Sequence, residues 1–241
     1  GAGFTIMPRQ FLELLDADYG VIGEGEVAFC ELCDRLENGQ LEELPAGVIG
    51  REGQSGPRAE LRDDWSRIIP ARSRFAMKDY YERGGMLSLQ TRRGCPFRCS
   101  YCTYPMIEGH KPRLRSIDDA MNELEALVDE SDVRHLFIVD SVFNYPRDYA
   151  MAFCDELIAR KLEVKWTCYA TPGHMDGELI ERMREAGCEG VEFGTDGLVD
   201  EMLENLDKGF TFAQVEEASR LCRELGLRFC HFLFLGSPGE D

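Results

Sequence analysis

Residues 86–102 read MLSLQTRRGCPFRCSYC, and this stretch organises the reading of the whole chain. The apolar run from Met86 has the character of a buried strand, and Arg92–Gly94 breaks it. Gly94 permits the tight turn into a loop that carries Cys95, Cys99 and Cys102. Three thiols cannot pair off into disulfides among themselves, so the loop calls for another explanation.

From this strand onward, strand and helix alternate. SIDDAMNELEALVDES has Ser116 as N-cap, Asp119 in the capping-box position, and Ile117, Met121, Leu124 and Val128 on one helical face. RHLFIVDSVF is a second strand, and Pro146 opens the helix PRDYAMAFCDELIARK. VKWTCYA and GVEFGTDG are strands three and four, separated by the helix GELIERMREAGC. Thr211 and Gln214 form a capping box on the next helix, Gly226 ends it, and RFCHFLFLG is the fifth strand. The strands are near-continuously apolar, as expected when both faces of a sheet are covered. The rhythm is that of a parallel barrel or an open doubly wound sheet, where chemistry collects at the carboxyl ends of the strands.

Residues 1–40 read as turn, helix, strand, turn, helix, with Pro8 opening one helix and Gly39 closing another. This matches the end of an α/β domain whose early strands lie outside the chain. The polar, Gly-rich residues 41–85 read as a linker, and residues 86–241 as a second domain cut after its fifth strand. Cys30 and Cys33 form a CxxC, but Val27, Cys30, Cys33 and Leu36 share one face of an amphipathic helix, and no second CxxC completes a four-thiolate site. Gly23–Glu26, GEGE, is read as helix capping, since its glutamates oppose phosphate.

The net charge of −18 repels phosphate backbones and disfavours nucleic acid as a substrate. No window approaches the run of about 18 apolar residues that a membrane span needs. Of the ten cysteines, Cys154, Cys168, Cys188, Cys222 and Cys230 lie in apolar patterns and read as core. This thiol usage indicates a reducing, cytoplasmic compartment.

Each strand of the second domain exits into a polar or glycine-bearing tip. The first gives the three loop cysteines, the second Asp140, Ser141 and Asn144, and the third Tyr169 and Thr171. The fourth gives Thr195 and Asp196, and the fifth Gly236, Pro238, Gly239 and Glu240. A structural zinc site wants four ligands, whereas this loop offers three and the nearest histidine, His110, lies beyond a segment containing Pro105. Three thiolates on a four-iron cluster leave one iron open, which suits catalysis. Arg92, Arg93 and Arg98 flank the thiolates and would offset their charge. His231 reads as a satisfied core histidine, and His174 and His110 as loop residues.

CxxxCxxC at the end of a first barrel strand, with the aromatic Tyr101 before the last cysteine, resembles the signature of the radical S-adenosylmethionine (SAM) superfamily. RSIDDAMNEL, FIVDSVFN, VEFGTDG, LDKGFTFAQV and FLFLGSPGE are similar to successive stations of its cobalamin-binding (B12-binding) branch. GAGFTIMPRQFLELLDADYGVIGEGE looks like the close of that branch's cobalamin domain. The resemblance implies a partial TIM-like (β/α)6 barrel, preceded by the C-terminal part of a Rossmann-like cobalamin-binding domain. Cys95, Cys99 and Cys102 would then ligate a [4Fe–4S] cluster whose fourth iron binds SAM. Tyr101 would lie against the adenine, mainly through its backbone, and Asp196 would contact the nucleoside or its ribose. Gly236 and Pro238 would pass near the adenine, and Asp140 would be a further cofactor contact. The third tip, YATPG, departs from the many relatives that carry an arginine there.

The implied activity is reductive cleavage of SAM to a 5′-deoxyadenosyl radical, used for cobalamin-dependent methylation of an unactivated carbon in a small-molecule or lipid-like substrate. Flavodoxin or ferredoxin would be the reductant. The competing readings are radical cyclisation or rearrangement without methyl transfer, an RNA methylthiotransferase, and a non-catalytic iron–sulfur electron carrier.

Overall fold

The computed structural model describes residues 1–53, 55–57, 59–63, 65, 68–131 and 134–237. The chain divides into two compact units. The first comprises Gly1–Ile68, Gly94–Pro96 and Thr103–Lys111, and the second Ile69–Arg93, Phe97–Cys102 and Pro112–Asp241.

The first unit begins with α1 (Ala2–Ile6), α2 (Pro8–Leu15), β1 (Tyr19–Val21), α3 (Ala28–Glu37) and β2 (Val48–Gly50). β1 pairs antiparallel with β2, Val21 opposite Val48. Ala28, Leu32, Leu44 and Val48 form its small core, with Tyr19, Val21 and Leu41 against it. α3 therefore buries the Ala28–Leu32 side. Cys30 is exposed, Cys33 half-buried, and Val27 and Leu36 stand in solvent, so the face expected to be apolar is turned outward. Part of the segment read as a linker supplies β2.

In the second unit, α4 (Met77–Glu82) leads into β3 (Leu87–Leu89) and β4 (Arg92–Arg93). α5 (Tyr104–Glu108) belongs to the first unit, after which β5 (Arg113–Leu114), α6 (Ile117–Ser131) and β6 (His135–Ile138) follow. The unit continues through α7 (Arg147–Ala159), β7 (Lys165–Ala170), α8 (Gly177–Glu185), β8 (Cys188–Asp196), α9 (Asp200–Asn205), α10 (Phe212–Leu225) and β9 (Arg228–Leu233). Five strands form a parallel sheet in the order β3-β6-β7-β8-β9, while β4 and β5 make a separate antiparallel pair. The caps fall where the residues place them. Ser116 Oγ accepts the Asp119 N–H at 3.1 Å, and the Thr211–Gln214 capping box is complete.

One face of the sheet is sealed. Leu87, Leu89, Leu136, Ile138, Trp166, Cys168, Val191 and Phe193 point into a core shared with residues of α6, α7, α8 and α10. Phe153 meets Phe143 and Trp166 edge to face within it, and Phe143 and Trp166 meet tilted, at 5.0–6.1 Å between centroids. Along β6 and β7 the intervening residues Phe137, Thr167 and Tyr169 stay half-buried or exposed. The near-continuous apolar pattern of the strands thus resolves into one closed face and one open face among the described residues. Cys154, Cys168, Cys188 and Cys222 are buried as expected, whereas Cys230 is exposed. It lies on β9, the edge of the sheet, on the same row as Tyr169 and Glu192.

Asp176 caps α8, accepting the Leu179 N–H at 2.9 Å, and takes the Arg147 guanidinium of α7 at 2.6 and 3.2 Å. Hydrogen bonding to Arg147 holds its carboxyl below the usual value of 3.8. The stability it contributes is therefore present above 3.8 and is lost as the pH falls below that value. Asp176→Asn is expected to cost about 0.2–1 kcal/mol at neutral pH, a deficit that closes on acidification. Urea melts across the pH range check this. Phe153→Ala, in the aromatic core, is expected to cost about 3–5 kcal/mol by the same measurement.

Candidate active site

At the carboxyl end of β3 the chain leaves the sheet, and the amides of Thr91 and Arg92 both donate to Asp140 Oδ1, at 2.7 and 3.1 Å. Asp140 Oδ2 accepts the Thr91 hydroxyl and lies 3.4 Å from Arg92 Nε. Burial pushes this carboxyl up, against the pull of Arg92 and Thr91. Arg92, expected to offset thiolate charge, is instead buried on Asp140, with Nη2 donating to the Phe143 carbonyl. Asp140, expected as a cofactor contact, has no exposed surface.

Gly94 then turns with φ +86°, and a Cβ there would lie 2.3 Å from the Lys111 carbonyl oxygen. Only glycine meets both conditions. Within the first unit the Gly94 amide donates to Glu108 at 3.0 Å and the buried Cys95 amide to the Gly109 carbonyl at 3.1 Å.

Within the second unit, Cys99 and Cys102 are half-buried and bracket a turn closed by Cys102 N–H to Cys99 O, 3.0 Å. The Ser100 amide donates to Leu206 O at 3.0 Å, which ties this turn to the end of α9. Phe97 packs on Tyr145 and His174, at 5.5 and 5.7 Å between centroids. Among the described residues no group of three His, Cys, Asp or Glu side chains is drawn together around a metal position, and no cysteine forms a disulfide.

At the tip of β8, Asp196 adopts φ +65°, a left-handed conformation uncommon for a non-glycine residue. Its buried carboxylate pairs with Lys208 Nζ and accepts the Tyr101 hydroxyl. Lys208 Nζ also reaches the Tyr101 hydroxyl at 3.2 Å and lies 5.5 Å from the Tyr101 ring centre. The Tyr101 ring stacks on Phe234 at 5.5 Å. Burial, with the neighbouring Asp196, holds the Tyr101 phenol protonated well above its usual range.

The neighbouring tips are pinned by other means. Asn144 Nδ2 donates to Thr171 O and Asn144 Oδ1 accepts the Thr171 amide, both at 2.9 Å. Thr195 Oγ1 sits 2.6 Å from His231 Nδ1, and Ser219 Oγ 3.0 Å from Nε2. Ser219 donates its own proton to Val215 O, so Nε2 carries hydrogen and Nδ1 accepts from Thr195. Burial lowers the His231 pKa, consistent with that neutral, satisfied ring. Gly236 turns with φ +83°, while Pro238, Gly239 and Glu240 lie outside the described residues.

The structure thus brings Tyr101 and Asp196 together and adds Lys208, which the sequence does not single out although it lies in the LDKGF station. The signal available is a lone lysine opposite an acidic strand tip. Lys208→Met leaves the Asp196 carboxylate buried without its cation, and is expected to cost about 3–5 kcal/mol. Adding Asp196→Asn should recover most of that loss in a double-mutant cycle of urea melts. An unchanged cost of Lys208→Met in the Asp196→Asn background would show that the ion pair does not couple the two residues.

A parallel α/β sheet with a three-cysteine loop leaving its first strand defines the class of radical SAM domains. The family model of the radical SAM superfamily matches residues 89–241, and the chain belongs to that family. Among curated proteins, the chain is 32% identical to an anaerobic magnesium-protoporphyrin IX monomethyl ester cyclase of Cereibacter sphaeroides, over 93% of this chain and 39% of the cyclase. It is 24% identical to the tryptophan 2-C-methyltransferase of Streptomyces laurentii, over 100% of this chain and 51% of the relative. The structure of the radical SAM methyltransferase TsrM from Kitasatospora setae, with cobalamin and a [4Fe-4S] cluster bound, superposes with a TM-score of 0.88 at 28% identity. That match covers 100% of this chain and 50% of TsrM. The chain therefore spans about half the length of the methyltransferases it matches.

Proposed function

We propose that the whole protein is a radical SAM enzyme with Cys95, Cys99 and Cys102 as ligands of a [4Fe–4S] cluster and cobalamin as a further cofactor. The reaction would be methylation of an unactivated carbon in a small-molecule or lipid-like substrate, with flavodoxin or ferredoxin as reductant. The observation that carries this reading is the loop of three cysteines leaving the first strand of a sheet that belongs to this family. Soft thiolates in an odd-numbered set suit an iron–sulfur cluster with one open iron better than a closed zinc site. Bound there, the cluster would supply the electron that cleaves SAM to methionine and a 5′-deoxyadenosyl radical.

The chain's own groups support the nucleoside. Asp196, paired with Lys208 and accepting the Tyr101 hydroxyl, would offer a carboxylate to ribose hydroxyls. Gly236 and Pro238 would line the adenine side, and Gly236 already turns with a positive φ. Among the described residues no helix is long and apolar enough to cross a membrane, and a reducing cytoplasmic setting would keep the thiols competent. Cyclisation without methyl transfer is the second reading, favoured by the 32% identity to the cyclase.

Full-length protein, reconstituted anaerobically with iron and sulfide and given dithionite and SAM, is expected to release 5′-deoxyadenosine. Cys99→Ala should lose both the cluster absorbance and the product. Absence of 5′-deoxyadenosine, or an intact cluster spectrum in Cys99→Ala, would overturn the reading. Cobalamin retained through purification, and label passing from the SAM methyl group to product, would separate methylation from cyclisation.

A further inference from the structure

We infer that Asp140 is a positioning residue for the cysteine loop, acting through Thr91 and Arg92, and that it makes no contact with the nucleoside. The inference rests on the cluster reading above.

The ladder between β3 and β6 ends with Val139 N–H donating to Leu89 O at 2.9 Å. Two residues on, the chain turns out of the sheet towards β4, and the amides of Thr91 and Arg92 face Asp140 in place of a strand of that sheet. Asp140, just past the end of β6, takes the place of that strand. One oxygen accepts the amides of Thr91 and Arg92, and the other accepts the Thr91 hydroxyl and faces Arg92 Nε. Other polar groups of this dipeptide are also engaged. The Thr91 carbonyl accepts the Arg115 amide at 2.9 Å and the Tyr149 hydroxyl at 3.1 Å. The Arg92 guanidinium reaches the Phe143 carbonyl and lies 5.6 Å over the Tyr149 ring.

A carboxylate has about four acceptor positions, and all of those of Asp140 face Thr91 and Arg92. No lone pair or exposed surface remains for a ribose hydroxyl or a substrate amine. The arrangement also has a mechanical effect. Arg92 is fixed three residues before Cys95, so the direction in which the chain starts its loop is set by a buried side chain of the neighbouring strand. Ligand-orienting groups of this kind act on a metal site through the ligands they hold.

The test uses full-length protein, reconstituted with iron and sulfide, in three variants: Asp140→Asn, the isosteric Thr91→Val, and Thr91→Ser, which keeps the hydroxyl. The readouts are the rate of iron loss to a chelator and the SAM concentration at half-change of the reduced cluster's paramagnetic resonance spectrum. Thermal melts serve as the control for global folding. Asp140→Asn and Thr91→Val are each expected to lose iron about 10-fold faster and to need about 10-fold more SAM, with Thr91→Ser close to wild type.

Wild-type behaviour in either Asp140→Asn or Thr91→Val overturns the inference. In particular, weakened SAM binding in Asp140→Asn alone would show direct contact instead. Thr91→Val keeps the test informative if Asp140→Asn fails to fold. A wild-type protein that assembles no cluster removes the functional reading and this inference together. A wild-type cluster with unaffected variants removes this inference alone.

Discussion

A strand that leaves a parallel sheet carries backbone donors that its neighbour can no longer accept, and buried donors must find partners. At the end of β3 those partners come from one side chain, Asp140, which has no exposed surface. The same residues reach further. The Arg92 guanidinium holds the Phe143 carbonyl, beyond β6, and the Tyr149 hydroxyl of α7 returns to the Thr91 carbonyl. Two stretches distant in sequence, Thr91–Arg92 and Asp140–Tyr149, are thereby closed on each other. The turn into the cysteine loop starts from that fixed point.

The other strand tips are held by different chemistry. Between the β6 and β7 tips, a side-chain amide imitates a peptide group and makes both hydrogen bonds of a strand pair, Asn144 with Thr171. At β8 an ion pair serves instead, with Lys208 on Asp196, and an imidazole spans two hydroxyls between Thr195 and Ser219. The carboxyl ends are set in place by polar contacts internal to the domain.

Much of this is legible in the sequence. The parallel α/β alternation follows from apolar runs and caps, and Ser116, Thr211 and Gly226 sit where their chemistry requires. The resemblance singles out Tyr101 and the strand-tip position singles out Asp196, although their contact with each other is not legible in the sequence. Local pattern cannot reveal which charge a buried arginine answers. Arg92 sits beside thiols in sequence and beside Asp140 in space, 48 positions away. Lys208 escapes notice for a similar reason, its partner lying across a helix. The face of α3 comes out differently because periodicity identifies a stripe, whereas the antiparallel pair β1–β2 decides which stripe is covered. Composition assigns Cys230 to the core, and edge position overrules composition.

The constraint at Gly94 bears on how such a loop can diversify. A positive φ and a carbonyl oxygen in the space of a Cβ leave that site no alternative residue, and substitution would have to move the Lys111 backbone first. Variation between descendants of this sequence is therefore channelled into the residues between the thiols. Phe97 touches Tyr145 and His174, and Ser100 is held through its backbone amide, so its side chain can change while the tether to Leu206 stays. A lineage could retune the surroundings of its cysteines at those two positions and inherit the turn unchanged.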